Sequence, residues 1–270
     1  MITSENMTTK DTKIPGLANL PISDFEKHRA YFFSKMSDNS IAFFSAAHEV
    51  TRSNDTEFNF CQNKSFYYLT GFNEPDALLV LLKRDDKEQA ILFSLPKDKA
   101  QEVWHGRRVG QEKACLEYGF DQCFTLDEQN KLISQYLNGL TQVYFAFDDK
   151  QLNQHVFDLL AQVRATVRQG GKVPAKLVDA SPLINEQRLI KSANEIDVMR
   201  QANYISCLSH KRAMQKTKAG LFEYQIENEL LHEFTRHGAR NAAYATIVAG
   251  GDNANILHYT DNSEQLNDND

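Results

Sequence analysis

"DALLVLLKRDDKEQAILFSL", residues 76–95, places two apolar runs on either side of a charged turn at Asp85–Glu88. Short apolar runs separated by turn residues read as a β-hairpin. The elements around it decide what kind of sheet the hairpin joins. Upstream, "PISDFEKHRAYFFSKM" (21–36) reads as an amphipathic helix: Ser23 with Glu26 fits a capping box, and Phe25, Arg29, Phe32 and Met36 form a stripe. "SIAFFSAA" (40–47) reads as a short apolar strand. The following "HEVTRSNDTEFNFCQNKS" (48–65) is long and polar for a compact domain, which marks it as a candidate functional or interface loop. Downstream, "QEKACLEYGF" (111–120) predicts a helix ending near Gly119, and "DQCFTL" (121–126) a strand. A Thr125/Glu128 capping box opens the helix "DEQNKLISQYLNGL" (127–140). "QVYFAF" (142–147), "QLNQHVFDLLAQVRATV" (151–167) and "KLVDA" (176–180) then read as strand, helix and strand. Strands alternating with helices around one hairpin predict an α/β domain with a mixed sheet.

After Ala180 the pattern changes. "SPLINEQRLIKSANEIDVMRQANYISCLSHKRAMQKT" (181–217) is strongly helical, with a Ser192/Glu195 capping box and an apolar face at Ile196, Met199, Ala202 or Asn203, Ile205 and Leu208. Gly220 breaks it, "FEYQIENELLHEFTRHG" (222–238) is a second helix, and Gly238 suits the C′ position. "YATIVAGGDNANILHYT" (244–260) reads as a strand, a Gly/Asn turn and a second strand. The chain is thus expected to hold a polar tail over 1–20, a first domain over 21–185 and a second over 186–270. Two helices and a hairpin make a poor closed core, because the hairpin's edges want further strands. The second domain reads as unfinished.

Composition excludes several classes. Hydrophobic content of 41% and charged content of 24% are those of an ordinary globular protein. A formal charge of −6 argues against a nucleic-acid surface, which is normally basic. No apolar run approaches the ~20 residues that cross a bilayer, and residues 1–20 lack the basic and apolar regions of a signal peptide. Cys61, Cys115, Cys123 and Cys207 form no C-x-x-C pair, which favours a reduced, cytoplasmic protein.

The motifs weigh little one by one. "HEFTRH" (232–237) differs from the zinc motif H-E-x-x-H: its histidines stand at i and i+5, about 140° apart on a helix turning ~100° per residue. A solvated helix face with His237 near the C-terminal dipole explains them. "GRRVG" (106–110) is too short and too cationic for a dinucleotide fingerprint, no G-x-S-x-G occurs, and "AGGDN" (249–253) could cradle an anion but is explained more simply by a turn between two strands. Trp104 could be a surface anchor or a core residue. His258, inside an apolar stretch, is on its own more often a hydrogen-bonded core histidine than a catalyst.

Taken together, "AAHEVTRSNDTEFNFCQNKSFYYLTGFNEPDALLVL" (46–81), "VWHGRRVGQ" (103–111), "NEQRLIKSANEIDVMRQA" (185–202), "HEFTRHGAR" (232–240) and "NILHYTDNSEQLNDND" (255–270) resemble the bacterial Xaa-Pro aminopeptidase (aminopeptidase P) family of the creatinase/prolidase/methionine-aminopeptidase group. The resemblance implies a creatinase-type N-terminal domain followed by the first part of a pita-bread (α+β) catalytic domain. It also implies metal-assisted hydrolysis of the bond preceding proline, at a dinuclear centre, usually manganese, held by two Asp, one His and two Glu. Those ligands begin just after the segment matching "QLNDND" (265–270), so this chain is expected to stop short of them, to bind no metal and to be inactive alone. His258 takes the role of the histidine beside the proline subsite, and Tyr244 that of a tyrosine near the metals, although "NAAYATIV" (241–248) departs from the family's more proline- and serine-bearing version. Trp104 takes the role of a tryptophan that reaches a neighbouring subunit's site, which implies a dimer or tetramer acting on proline-containing peptides. Prolidase, specific for dipeptides, is the nearest alternative; a metal-free pita-bread interaction module is the alternative outside enzymes.

Overall fold

The computed structural model describes residues 20–270; the tail expected over 1–20 lies outside them but for Leu20. The described chain divides into two units, Leu20–Lys191 and Ser192–Asp270.

In the first unit the chain runs α1 (Ile22–Lys35), β1 (Ser40–Ser45), a two-stranded ribbon of β2 (Thr51–Ser53) and β3 (Thr56–Glu57), α2 (Lys64–Thr70), β4 (Leu78–Arg84) and β5 (Lys87–Ser94). It continues through α3 (Lys99–His105), α4 (Gln111–Tyr118), β6 (Gln122–Thr125), α5 (Gln129–Leu137), β7 (Gln142–Phe145), α6 (Lys150–Ala165), β8 (Lys176–Asp179) and α7 (Ser181–Leu189). The main sheet has the order β6-β5-β4-β1-β7-β8. β4 pairs antiparallel with β5 and β1, and the remaining pairs are parallel, so the sheet is mixed as the sequence predicts. Asp85 and Asp86 form the hairpin turn, both with positive φ (50° and 59°), the conformation of a two-residue type I′ connection.

Continuous apolar runs follow from burial on both faces. Leu79 and Leu81 of β4, with Ala42, Phe44 and Leu92, face α1, α2, α4 and α7 through Phe32, Phe66, Leu69, Ala114 and Ile184. The alternate residues Leu78, Val80 and Leu82, with Ile41, Phe43 and Phe93, face α5 and α6 through Ile133, Leu137, Val156, Leu159 and Val163. Period-two alternation places each residue on its face.

The α1 stripe is buried, Arg29 included at 4% exposure. Its guanidinium donates to the carbonyls of Leu69, Tyr118 and Gly119, at 2.9, 3.1 and 2.6 Å, where α2 and α4 run out of intrahelical donors. One cation thereby ties α1 to two helix ends. Burial lowers the Arg29 pKa, with Glu26 and Asp121 acting in opposition.

Several expectations need correction. Pro21, not Ser23, precedes the first helical residue of α1, and no side chain caps it, because helix geometry already begins at Ile22. Thr125 and Ser192 do meet their glutamates: the Glu128 carboxylate accepts from the Thr125 N–H, and Ser192 and Glu195 exchange both capping bonds. The long polar loop folds partly into the β2–β3 ribbon, and α2 and α3 are helices that the sequence did not signal. The helical stretch after Ala180 is two helices, and the two units meet between Lys191 and Ser192. α7 stays with the first unit because Ile184 is buried in its core, and Gln187 donates to the His28 carbonyl at 2.8 Å.

The second unit comprises α8 (Ala193–Lys216), α9 (Glu223–Arg236) and a long irregular segment. α8 and α9 pack through Ile205, Ile226 and Leu230, and the buried Ser209 hydroxyl donates to the Leu230 carbonyl at 2.9 Å. Gly238 sits at C′ with φ 87°, as its position after the helix predicts. Among the described residues no helix is long and apolar enough to cross a membrane.

Candidate functional site

No strand forms over 244–260, where the sequence predicts a hairpin. Instead, Glu223 of α9 and Asn262 take up backbone groups of that stretch at Gly250, Val248 and Thr246. Glu223, fully buried at the first position of α9, accepts from the Gly250 N–H (2.8 Å) and Asn253 Nδ2 (3.3 Å) on one oxygen. Its other oxygen accepts from the Tyr259 hydroxyl (2.6 Å) and the Glu264 N–H (3.0 Å). One turn along the same helix face, Glu227 accepts from Asn262 Nδ2 at 3.1 Å. Asn262, 2% exposed and with φ 47°, also accepts from the Val248 N–H (2.9 Å) and donates to the Thr246 carbonyl (2.9 Å). The "AGGDN" stretch is a 3-10 turn over Gly251–Asn255, and the anion that Gly250 and Asn253 face is this chain's own Glu223.

The carboxylate of Glu223 has good reason to stay ionised. Burial would raise it, but the bonds from Tyr259, Gly250, Glu264 and Asn253 outweigh burial and hold it below its ordinary range. The Tyr259 phenol is pushed up, first by its bond to Glu223 and then by burial, so it keeps the proton it donates.

His258 stands exposed in a turn that the Tyr259 N–H closes onto the Ile256 carbonyl at 3.3 Å. Both the strand and the buried-core readings of this histidine are thereby corrected: its neighbour Tyr259 takes the inward position. Tyr244, 76% exposed, lines a cleft of about 480 Å³ with Ile205, Leu230, Phe234 and Ile247. His258 is not among the residues lining that cleft, so the two are not brought into one pocket.

Trp104 belongs to the first unit, on α3, and is 83% exposed beside Val103, itself 82% exposed. This excludes a core role and leaves the surface-anchor reading. The segment carrying it is anchored from behind. Asp98 caps α3 at the Ala100 N–H (2.8 Å), Glu102 accepts from the Arg108 N–H (3.1 Å), and Glu74 accepts from the Val109 N–H (2.6 Å).

Two further expectations bear on metals. His237 ends α9 and bonds Glu233 at 2.9 Å, while His232 is exposed. Arg212 also reaches Glu233, and bonds Glu229 at 2.5 Å. Among the described residues no three His, Cys, Asp or Glu side chains converge as a metal site. The described residues by themselves therefore do not offer the ligand set of a dinuclear centre.

Glu223 was not a candidate from the sequence. An acidic residue in the first turn of a helix is commonplace, because the dipole favours it there. Its partners lie 27 to 41 residues further on, so no local spacing marks them.

Comparison with known proteins places these features. The description "Aminopeptidase P, N-terminal domain" matches residues 25–144, and "Metallopeptidase family M24" matches residues 197–270. The chain is 42% identical over 260 residues to the Xaa-Pro aminopeptidase of Escherichia coli (strain K12), covering 94% of this chain and 58% of that protein. It is 32% identical to human Xaa-Pro aminopeptidase 3, over 80% of this chain and 43% of the relative. Among solved structures, proline aminopeptidase P II from Yersinia pestis superposes with a TM-score of 0.89 at 45% identity, over 92% of this chain and 58% of that one. A zinc-substituted E. coli aminopeptidase P in complex with product superposes at 0.91 and 42% identity, over 93% and 58%. The chain thus spans less than two thirds of the length of the relatives it matches.

Proposed function

This chain belongs to the Xaa-Pro aminopeptidase (aminopeptidase P) family, and from that premise we propose that the whole protein removes the N-terminal residue of peptides with proline in second place. The supporting observation is 42% identity to the E. coli enzyme sustained over 94% of this chain. The 270 residues supply the N-terminal domain and one wall of the catalytic cleft. The metal, manganese in our reading, is held by residues in the part of the relatives' length that this chain does not span. A divalent metal held there would supply the Lewis acidity for hydrolysis, which the described residues do not themselves provide.

His258 is the substrate-side histidine. An imidazole held out from a closed turn can donate to the scissile carbonyl, and a donor of this kind is typically worth about 2–4 kcal/mol to a developing oxyanion. In the same reading Tyr244 is the tyrosine near the metal site, and Trp104 reaches a neighbouring subunit of a homo-oligomer. The four unpaired cysteines suit a reducing, cytoplasmic setting.

The test is the protein purified at the full length its gene encodes, with manganese, assayed on a Xaa-Pro tripeptide and on a Xaa-Pro dipeptide. Tripeptide turnover that falls at least a hundredfold in His258→Ala supports the reading, the size that loss of an oxyanion donor brings. Turnover of the dipeptide alone makes the protein a prolidase, and clear tripeptide turnover by the 270-residue chain refutes the division of labour proposed here.

A further inference from the structure

Between Gly251 and Asp261 the side chains face outwards except those of Asn253 and Tyr259. Ile256 is 53% and Leu257 83% exposed, and Tyr259 alone in that span is buried. Apolar packing therefore does not hold the turn carrying His258. What holds it is the Tyr259 hydroxyl, 2.6 Å from Glu223, while the same carboxylate grips the segment at Gly250 on one side and Glu264 on the other. Glu223 is itself fixed, because its own N–H donates to the Glu264 carbonyl at 2.9 Å and its carboxylate sits at a helix N-terminus.

We propose that Glu223 is a positioning residue for His258, acting through the Tyr259 hydroxyl to fix the Leu257–His258 turn. The proposal rests on reading His258 as the substrate-side histidine. A catalytic donor must be held within a fraction of an ångström by groups whose own places are locked. An exposed imidazole on a two-residue turn meets that demand only if the next residue is pinned. Tyr259 and Glu223 do the pinning, with both carboxylate oxygens engaged and the phenol also receiving Asn253 Nδ2 at 3.1 Å.

The first experiment is made on the 270-residue chain. The His258 imidazole resonance, assigned by its loss in His258→Gln, is compared in wild type, Tyr259→Phe and Glu223→Gln, together with amide hydrogen exchange. Tyr259→Phe is expected to move and broaden that resonance and to speed exchange of the 257–259 amides about tenfold, leaving β4 and β5 unchanged. Should Glu223→Gln unfold the second unit, Tyr259→Phe, which removes a single oxygen, still decides. An unmoved His258 resonance with unchanged exchange overturns the proposal.

The second experiment is a double-mutant cycle in the full-length protein on a Xaa-Pro tripeptide. Tyr259→Phe is expected to lower kcat about tenfold with KM within twofold, the scale of a small misplacement, and to have no further effect in a His258→Ala background. Equal losses in both backgrounds mean that Tyr259 merely supports the fold, and the proposal fails. If wild type does not cleave the tripeptide, it is the functional reading that fails, and the imidazole measurement judges the positioning separately.

Discussion

Leu20–Lys191 is held by apolar layers, whereas Ser192–Asp270 is held largely by polar side chains folded back on its own backbone. In the first unit both faces of the sheet are covered, and Phe32, Phe66, Leu79, Leu81, Ile91, Leu92 and Phe93 are fully buried. In the second, Ile205, Ile226, Leu230 and Tyr259 are the buried apolar side chains among the described residues, while Met199, Tyr204 and Met214 of α8 are 50% exposed or more. Two glutamates, Glu223 fully buried and Glu74 half-buried, mark the contrast. Glu223 satisfies both oxygens with four donors, and its pKa is held down. Glu74 gives one oxygen to the Val109 N–H and leaves the other without a partner among the described residues, and burial drives its pKa up. Where packing supplies the stability, an incompletely paired carboxylate can be carried; where it does not, the carboxylate is itself the organising element.

The sharpest way to break this contrast is to cut into both cores. Phe32 stands edge-on to Phe44 at 5.1 Å in a close-packed layer, and Phe32→Ala is expected to cost about 3–5 kcal/mol. Ile205 borders the 480 Å³ cleft, where neighbours can relax inward, so Ile205→Ala falls near the low end of its range, about 2 kcal/mol. Urea unfolding followed by hydrogen exchange, which reports each unit separately, measures both. Equal costs would mean that the second unit is as tightly packed as the first.

pH sharpens the comparison, because the two glutamates act with opposite sign. Glu223, depressed in the folded state, contributes stability that is complete above the unfolded carboxyl's value of about 4.3 and is lost as pH falls through its folded value. Glu74, raised in the folded state, holds its proton where the unfolded chain has released it, so the first unit loses stability as pH rises from about 4.3 through the folded value. Measured against wild type, Glu74→Gln is therefore expected to gain stability as pH rises from about 4.3 toward 7, whereas the deficit of Glu223→Gln is expected to grow as pH rises from below up to about 4.3 and to stay constant above it. Stability differences that stay flat with pH for both variants would contradict the bonding described for each site.

These forces also decide what could be read in the sequence. The β4–β5 hairpin was legible because apolar continuity and two adjacent aspartates are local signals, and α8 began where Ser192 and Glu195 said it would. Ser192 also explains the misread helix: a residue that caps a new helix requires the previous one to have stopped, and α7 stops at Leu189 with neither Gly nor Pro to announce it. α2 and α3, seven residues each, are too short to show a period. The 244–260 segment carries the apolar texture of a hairpin, but Glu223 and Asn262, remote in sequence from most of what they bind, claimed its backbone. As for the site, resemblance brought His258, Tyr244 and Trp104 to notice, and Glu223 became visible only from the folded geometry.

The smallest expected effect on stability belongs to the most exposed aromatic residue of the first unit. Trp104→Ala removes a side chain that is 83% exposed, and substitutions of that kind stay within about 0.5 kcal/mol. Its backbone would not follow it, because Asp98, Glu102 and Glu74 hold the segment through main-chain N–H groups that the substitution leaves in place. An unburied tryptophan on an anchored segment is compatible with the contact proposed for Trp104. In the full-length protein, Trp104→Ala is thus expected to lower kcat/KM on a Xaa-Pro tripeptide while the melting temperature stays within a degree or two. A large drop in melting temperature with an unchanged specificity constant would assign Trp104 to stability, and would move it to the side of the comparison where packing does the holding.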